Sequence, residues 1–121
     1  MKFKYFTYGE FDSPDLKGSG KNVSDELISM LDIARKKYGK SVVINSGYRT
    51  PEHNDKVGGK PGSSHIKGLA VDIACSNSTD RFKLAGILRE VGFKRIGMGS
   101  TFIHVDIDKD KSQNVLWTCL L

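Results

Sequence analysis

Three side chains in this sequence have the types and spacing to hold a metal ion. His65 and Asp72 stand seven positions apart in Gly62-Ser63-Ser64-His65-Ile66-Lys67-Gly68-Leu69-Ala70-Val71-Asp72-Ile73. A second histidine, His104, sits in the alternating fragment Phe102-Ile103-His104-Val105-Asp106-Ile107. Two neutral imidazoles and an ionised carboxylate suit Zn²⁺. Three protein ligands leave a fourth position for water, which is the pattern of a catalytic zinc site, not a closed structural one. Such an ion lowers the pKa of its water to ~7 and polarises a bound carbonyl.

These residues need two strands and a loop to bring them together. Gly68–Ala74 reads as a strand with Gly68, Ala70 and Asp72 on one face and Leu69, Val71 and Ile73 on the other. The first face, small-small-acid, leaves room above it for a metal and its other ligands. The second is a core face. A buried aspartate in so apolar a strand needs a partner. In the strand expected over Thr101–Ile107, Phe102, His104 and Asp106 share a face. If the two strands pair, His104 meets Asp72 across the sheet, and His65 reaches over from the preceding loop.

The remaining elements follow from pattern. A helix runs from Asn22 to a stop at Gly39, capped by Asn22 or Ser24, with Leu27, Met30, Leu31 and Ala34 as its buried face. A β-branched strand follows over Lys40–Ser46, then a short helix over Pro51–Lys56 capped by Thr50. The cluster Ser76–Asp80 opens another helix, with Phe82, Leu84, Ala85, Leu88 and Val91 directed to the core and an end near Gly92. Lys94–Met98 and Asn114–Cys119 complete the strands. Residues 1–21 form an arm whose aromatics (Phe3, Tyr5, Phe6, Tyr8 and Phe11) are expected to dock on the core. The expected fold is α+β: one small domain over residues 1–121, with an antiparallel sheet and helices packed on one face.

Composition supports this reading and excludes others. With 121 residues, 38% hydrophobic and 27% charged, the chain suits one domain with one core. No apolar run is long enough to span a membrane. The N-terminus lacks the apolar stretch of a signal peptide, so synthesis in the cytoplasm is expected. The net charge of +5 draws the surface weakly to polyanions. No nucleic-acid motif accompanies it, and neither nucleic acid nor membrane is an expected partner. Cys75 and Cys119 belong to no Cys-x-x-Cys pair and are expected as buried small hydrophobes.

Beyond spacing, the order of motifs is specific. Ser46-Gly47-Tyr48-Arg49-Thr50-Pro51-Glu52-His53-Asn54, Val57-Gly58-Gly59, Ser63 through Ile73, and Phe102 through Asp106 together resemble the zinc D-Ala-D-Ala carboxypeptidase family of metallopeptidases. The likeness is closest to its small single-domain branch of bacteria and phages, and covers roughly residues 22–108. The pattern Ser-x-His-x-x-Gly-x-Ala-x-Asp falls on Ser63, His65, Gly68, Ala70 and Asp72. The resemblance implies a DD-peptidase-like, hedgehog-like fold and zinc held by His65, Asp72 and His104. It also implies a hydrolase of peptidoglycan stem peptides, acting as carboxypeptidase or endopeptidase; a monomer is expected. It gives Arg49 the role of holding a substrate carboxylate or polarising the carbonyl, which a rigid, permanently charged fork can do. Ser63 is expected to hydrogen-bond the site or the substrate backbone. Action on the wall without a leader implies outside help, such as holin-assisted release of a phage endolysin or carriage in a virion.

One position departs from the family. Many relatives have a general-base Glu or Asp three residues before the second histidine, where this chain has Thr101. Asp106, two residues after His104 and on its strand face, is the best local substitute. It could take the proton from the attacking water or orient His104 as a supporting carboxylate. His53, Glu52 and Asp108 are weaker candidates. The missing base also leaves room for a different reading, a zinc-containing wall-binding module without catalysis.

Overall fold

The computed structural model describes residues 2–119. Its elements are α1 (Asp25–Tyr38), β1 (Ile44–Ser46), α2 (Pro51–Lys56), β2 (Ala70–Ala74), α3 (Ser78–Val91), β3 (Arg95–Met98), β4 (Phe102–Asp106) and β5 (Val115–Thr118). The strands form one sheet in the order β1-β2-β4-β3-β5. The fold is α+β, as expected, and the sheet is mostly antiparallel.

The exception is β5, which pairs parallel to β3. Both edges of β4 are already occupied, by β2 and β3. The chain leaving β4 therefore crosses the sheet end and returns along the outer edge of β3, in the direction of β3 itself. Asn114 enters β5 with φ of 62°, a left-handed turn conformation that asparagine tolerates better than most residues. Strand β1 is also shorter than the β-branched run suggests. A bulge places Ile44 opposite Ile73 and Ser46 opposite Asp72, and the preceding Val43 is exposed. The irregularity turns Ser46 toward the site.

One face of the sheet carries the core. Val71, Ile73, Ile96, Ile103 and Val105 pack against buried Leu27, Ile28, Leu31, Ala34 and Tyr38 of α1 and Leu84 and Leu88 of α3. Ser24 caps α1 by accepting from the Leu27 N–H, and Gly39 ends it. The buried stripe of α1 is rotated slightly from the expected one, with Ile28 inside and Met30 at its margin. Phe3, Phe6 and Phe11 of the N-terminal arm are buried in the same cluster. The arm is tied down further where Asp32 accepts from the backbone N–H groups of Lys4 and Tyr5.

Phe82 departs from expectation. It is 87% exposed, although a large apolar side chain in this helix is expected in the core. Leu84 and Leu88 define the buried stripe, and a residue two positions before Leu84 lies roughly 200° round the helix. Phe82→Ser is accordingly expected to change folding stability by no more than ~0.5 kcal/mol. Leu84→Ala is expected to cost ~2–5 kcal/mol. Urea denaturation of the two variants checks the contrast.

Candidate metal centre

The face of the sheet opposite the helices carries the candidate site. In the antiparallel β2–β4 pair, Asp72 stands directly opposite His104, and Ala70 opposite Asp106. His65 arrives from the turn before β2. Its backbone N–H donates to Ser63 Oγ, and its carbonyl accepts from the N–H groups of Arg49 and Gly68. Gly68 makes the turn possible with φ of 72°. The structure thus brings together the three side chains singled out by spacing, each offering an atom within 4.8 Å of the others.

The outer contacts of the two rings decide which atoms face the shared point. His65 Nδ1 lies 2.8 Å from the Gly47 carbonyl, which can only accept, so Nδ1 carries the hydrogen. That leaves the lone pair of His65 Nε2 pointing at Asp72 Oδ1, 3.4 Å away. Two electron-rich atoms face each other there, an arrangement that a cation between them relieves. His104 places Nε2 2.7 Å from Asp106 Oδ2 and Nδ1 2.9 Å from Asp72 Oδ1. Each ring therefore has one nitrogen anchored to an outer acceptor and the other directed inward, the usual support for a metal-bound histidine. Tetrahedral zinc with ligands at 2.0–2.2 Å needs ligand atoms roughly 3.4 Å apart. The donor set and its spacing fit such an ion after small adjustments.

Electrostatics agree with the geometry. Burial works against charge on Asp72, but the hydrogen bond from His104 and the neighbouring His65 ring outweigh it and hold the carboxyl well below the usual range. Burial likewise opposes a charged His104, and the bonds to Asp106 and Asp72 overcome it and raise the ring's pKa. Without metal, both nitrogens of His104 face carboxylates and are best satisfied as imidazolium. Zinc uptake must displace the Nδ1 proton. Calorimetric titration with zinc in buffers of different ionisation enthalpy is expected to show proton release near neutral pH. Stability follows the same linkage. A raised folded pKa gives the metal-free protein a contribution that is complete below ~6.5 and lost as pH rises through the folded value. Melting temperature in chelator is therefore expected to fall from pH 6.5 upward, while the zinc-loaded protein does not share this loss. The depressed pKa of Asp72 acts only at much lower pH.

Around the cluster the structure places further residues. Arg49 is fixed in three directions: Nε donates to Ser46 Oγ, Nη1 to Asn54 Oδ1, and Nη2 to Asp72 Oδ2 at 3.4 Å. Asp106 is only 2% exposed. Its Oδ1 accepts from Arg95 Nε at 2.7 Å and from the Asp108 N–H at 3.1 Å, while Oδ2 holds His104. Thr101 lines a separate cleft with Tyr38, Cys75 and Asp80. Asp108 is buried beneath the loop, where it accepts from Ser64 and Lys67. His53 lies on α2, where its N–H donates to the capping Thr50 Oγ1, and Glu52 is exposed in the same helix.

A cleft of about 640 Å³ opens over the cluster, lined also by Phe102, Trp117 and Cys119. Trp117 lies 5.5 Å from His104, centroid to centroid, and the Arg95 guanidinium stacks on it at 4.7 Å. Gly97 makes room for this ring, since a Cβ there would come within 2.9 Å of both Trp117 and Cys119 side-chain atoms. Cys119 is half-buried beside the cleft instead of being a core hydrophobe, while Cys75 is buried. Trp117, Arg95 and Cys119 were not apparent as site residues from the sequence. The one available signal was Arg95 beside Ile96 in a strand pattern, a charge that needs a partner if buried.

Comparison with known proteins agrees with this geometry. No curated protein matches the chain. Residues 4–107 match the family described as Peptidase M15, so the matched region includes most of the N-terminal arm and starts well before the segment that carried the sequence resemblance. With most of its length inside that match and a His-Asp-His cluster on the sheet, the chain belongs to the peptidase M15 family, the zinc D-Ala-D-Ala carboxypeptidase-like metallopeptidases.

Proposed function

We propose that this protein is a zinc metallopeptidase that hydrolyses peptide bonds in the stem peptides of bacterial peptidoglycan. The observation that carries this reading is the inward convergence of His65 Nε2, Asp72 Oδ1 and His104 Nδ1, with the outer nitrogen of each ring anchored. Those three atoms would hold the ion, which when bound polarises the scissile carbonyl and acidifies the attacking water.

The chain's own residues supply the rest. Gly47 and Asp106 fix the two imidazoles in the tautomer and orientation that a ligand requires. Asp106 acts as a positioning residue, since its oxygens are taken up by His104, Arg95 and the Asp108 amide. Arg49 is held rigid beside Asp72, and three of its five N–H groups are engaged. The remaining two are available to a substrate carboxylate or to the oxyanion formed on attack. Ser63 supports the His65 turn by accepting its N–H and also lines the cleft, within reach of a substrate backbone.

A second reading has a specific observation behind it. Among the described residues, the carboxylates lining the cleft are Asp72 and Asp106, and neither is free to serve as a general base in the manner of the missing residue at Thr101. A zinc-containing wall-binding module would need no such base. Incubating the zinc-loaded protein with defined muropeptides separates the two. New amino termini and product masses shifted by one water identify the peptidase and the bond it cuts. Retained binding with no new termini identifies the module.

A further inference from the structure

The charges of the cleft are unevenly compensated. Four cations line it, Arg49, Lys60, Arg95 and Lys111, against the two carboxylates Asp72 and Asp106. Arg49 faces Asp72, and Arg95 is paired with Asp106 at 2.7 Å. The two arginines are therefore neutralised within the protein. Lys60 is not, and Lys111 is only partly so. Lys111 Nζ donates to Ser64 Oγ at 2.8 Å and is 3.9 Å from Asp108, a carboxylate it shares with Lys67, which lies 3.1 Å from Asp108 and 3.6 Å from Asp110. Lys60 is exposed, and among the described residues its ammonium has no ion pair or hydrogen bond. Both lysines flank the Ser63–His65 turn: Lys60 opens it, its carbonyl accepting from the Ser63 N–H, and Lys111 reaches Ser64 from the turn after β4. The opposite wall comes from the sheet and is largely apolar, with Phe102, Trp117 and Cys119. A divalent ion would add further positive charge between the two walls.

We propose that Lys60 and Lys111 are specificity-determining residues, and that the cleft selects peptides carrying a free carboxylate beside the bond to be cut over the same peptides with that group amidated. This rests on the reading of the site as one that receives stem peptides. A glutamate linked through its side chain leaves a carboxylate of this kind, as does a diaminodicarboxylic acid, and each has a neutral carboxamide counterpart. Exposed ammonium–carboxylate pairs are individually weak and screened by salt. Two of them, in a cleft where the competing acids are already engaged, are expected to give about a tenfold preference for the acid at low ionic strength.

Trp117 is the sole tryptophan of the chain and lies against His104, so its fluorescence reports occupancy of the cleft without requiring cleavage. The zinc-loaded full chain would be titrated with two synthetic stem tetrapeptides that differ only in a free or amidated glutamate carboxylate. The expected result is roughly tenfold tighter binding of the acid, falling to about threefold in Lys60→Gln and to near parity in Lys60→Gln/Lys111→Gln. Affinity for the amide is expected to be unchanged in Lys60→Gln, and the preference should collapse in 0.5 M salt, on the order of a 4 Å Debye length. Equal affinity for acid and amide, a preference that survives Lys60→Gln undiminished, or no response to either peptide would overturn the proposal. Lys60→Gln alone is decisive, because the Lys60 side chain supports no other described residue, whereas Lys111→Gln also removes a bond to Ser64. Product analysis on the same samples keeps the two readings apart. Selective binding without new amino termini sustains the lysine assignment and overturns the peptidase. Equal binding and cleavage of both peptides does the reverse.

Discussion

Replacing His104 with alanine is expected to abolish zinc binding and hydrolysis together, while Asp106→Asn is expected to separate them. His104 supplies one of three converging ligand atoms, and the remaining pair cannot close a catalytic zinc site. Asp106 lies one layer out. Its carboxylate receives three donors: His104 Nε2–H, Arg95 Nε–H and the Asp108 amide. An asparagine can accept from some of them, but its NH₂ must then face a donor. The ring loses its orientation and part of its basicity, and zinc affinity is expected to fall about 10–100-fold. The positioning role further requires kcat at saturating zinc to stay within roughly tenfold of wild type. A general-base role would cost ~10²–10⁴-fold at any zinc concentration. Turnover of a muropeptide measured across a zinc titration distinguishes the two. A loss that zinc cannot restore would make Asp106 the base. Melting curves are needed alongside, because breaking the buried Arg95–Asp106 pair is expected to cost about 3–5 kcal/mol.

That Asp106 can be argued so closely from the structure, and only loosely from the sequence, has a physical reason. Asp72 and His104 were legible because strand alternation has a period of two and both strands keep it, so the shared face follows from local pattern. The α+β class was legible for similar reasons, since caps, glycine stops and apolar spacing are local signals. What occupies the free oxygens of Asp106 is not local. Arg95 comes from β3, on the far side of β4, and Trp117 from a strand whose parallel direction depends on which sheet edge remained open. No short-range pattern encodes that choice. Phe82 shows a different limit. A large apolar residue in a helix was assigned to the core by type, although its angular position, opposite Leu84, puts it in solvent. The charge imbalance in the cleft is equally invisible there, since +5 spread over the chain says nothing of which two lysines line the cleft.

Gly68→Ala is expected to be among the most destabilising single-methyl changes in this chain, and to weaken the metal centre as well. Gly68 is buried with φ of 72°, where an L-residue costs about 1–2 kcal/mol. A Cβ would lie 2.1 Å from the Asn22 carbonyl oxygen and 3.2 Å from Val23 Cα. Both are backbone atoms and cannot rotate away. They belong to the segment that leads into the Ser24 cap of α1, and the Ser24 N–H donates to the Gly68 carbonyl at 2.8 Å. Relieving the overlap therefore moves either the start of α1 or the turn that holds His65, whose carbonyl accepts from the Gly68 N–H. Overpacking of this kind typically costs a further ~1–3 kcal/mol. The total, roughly 2–5 kcal/mol, is a large fraction of the ~5–15 kcal/mol that keeps a domain folded. Gly39→Ala provides the control. Gly39 has a similar φ of 77°, but nothing lies within 4 Å of the added carbon. That variant should show the conformational cost alone, with zinc affinity unchanged. Chemical denaturation and zinc titration of both proteins test the argument. If the two alanines cost the same, the contact between the His65 turn and the entry to α1 is not what Gly68 is there to permit.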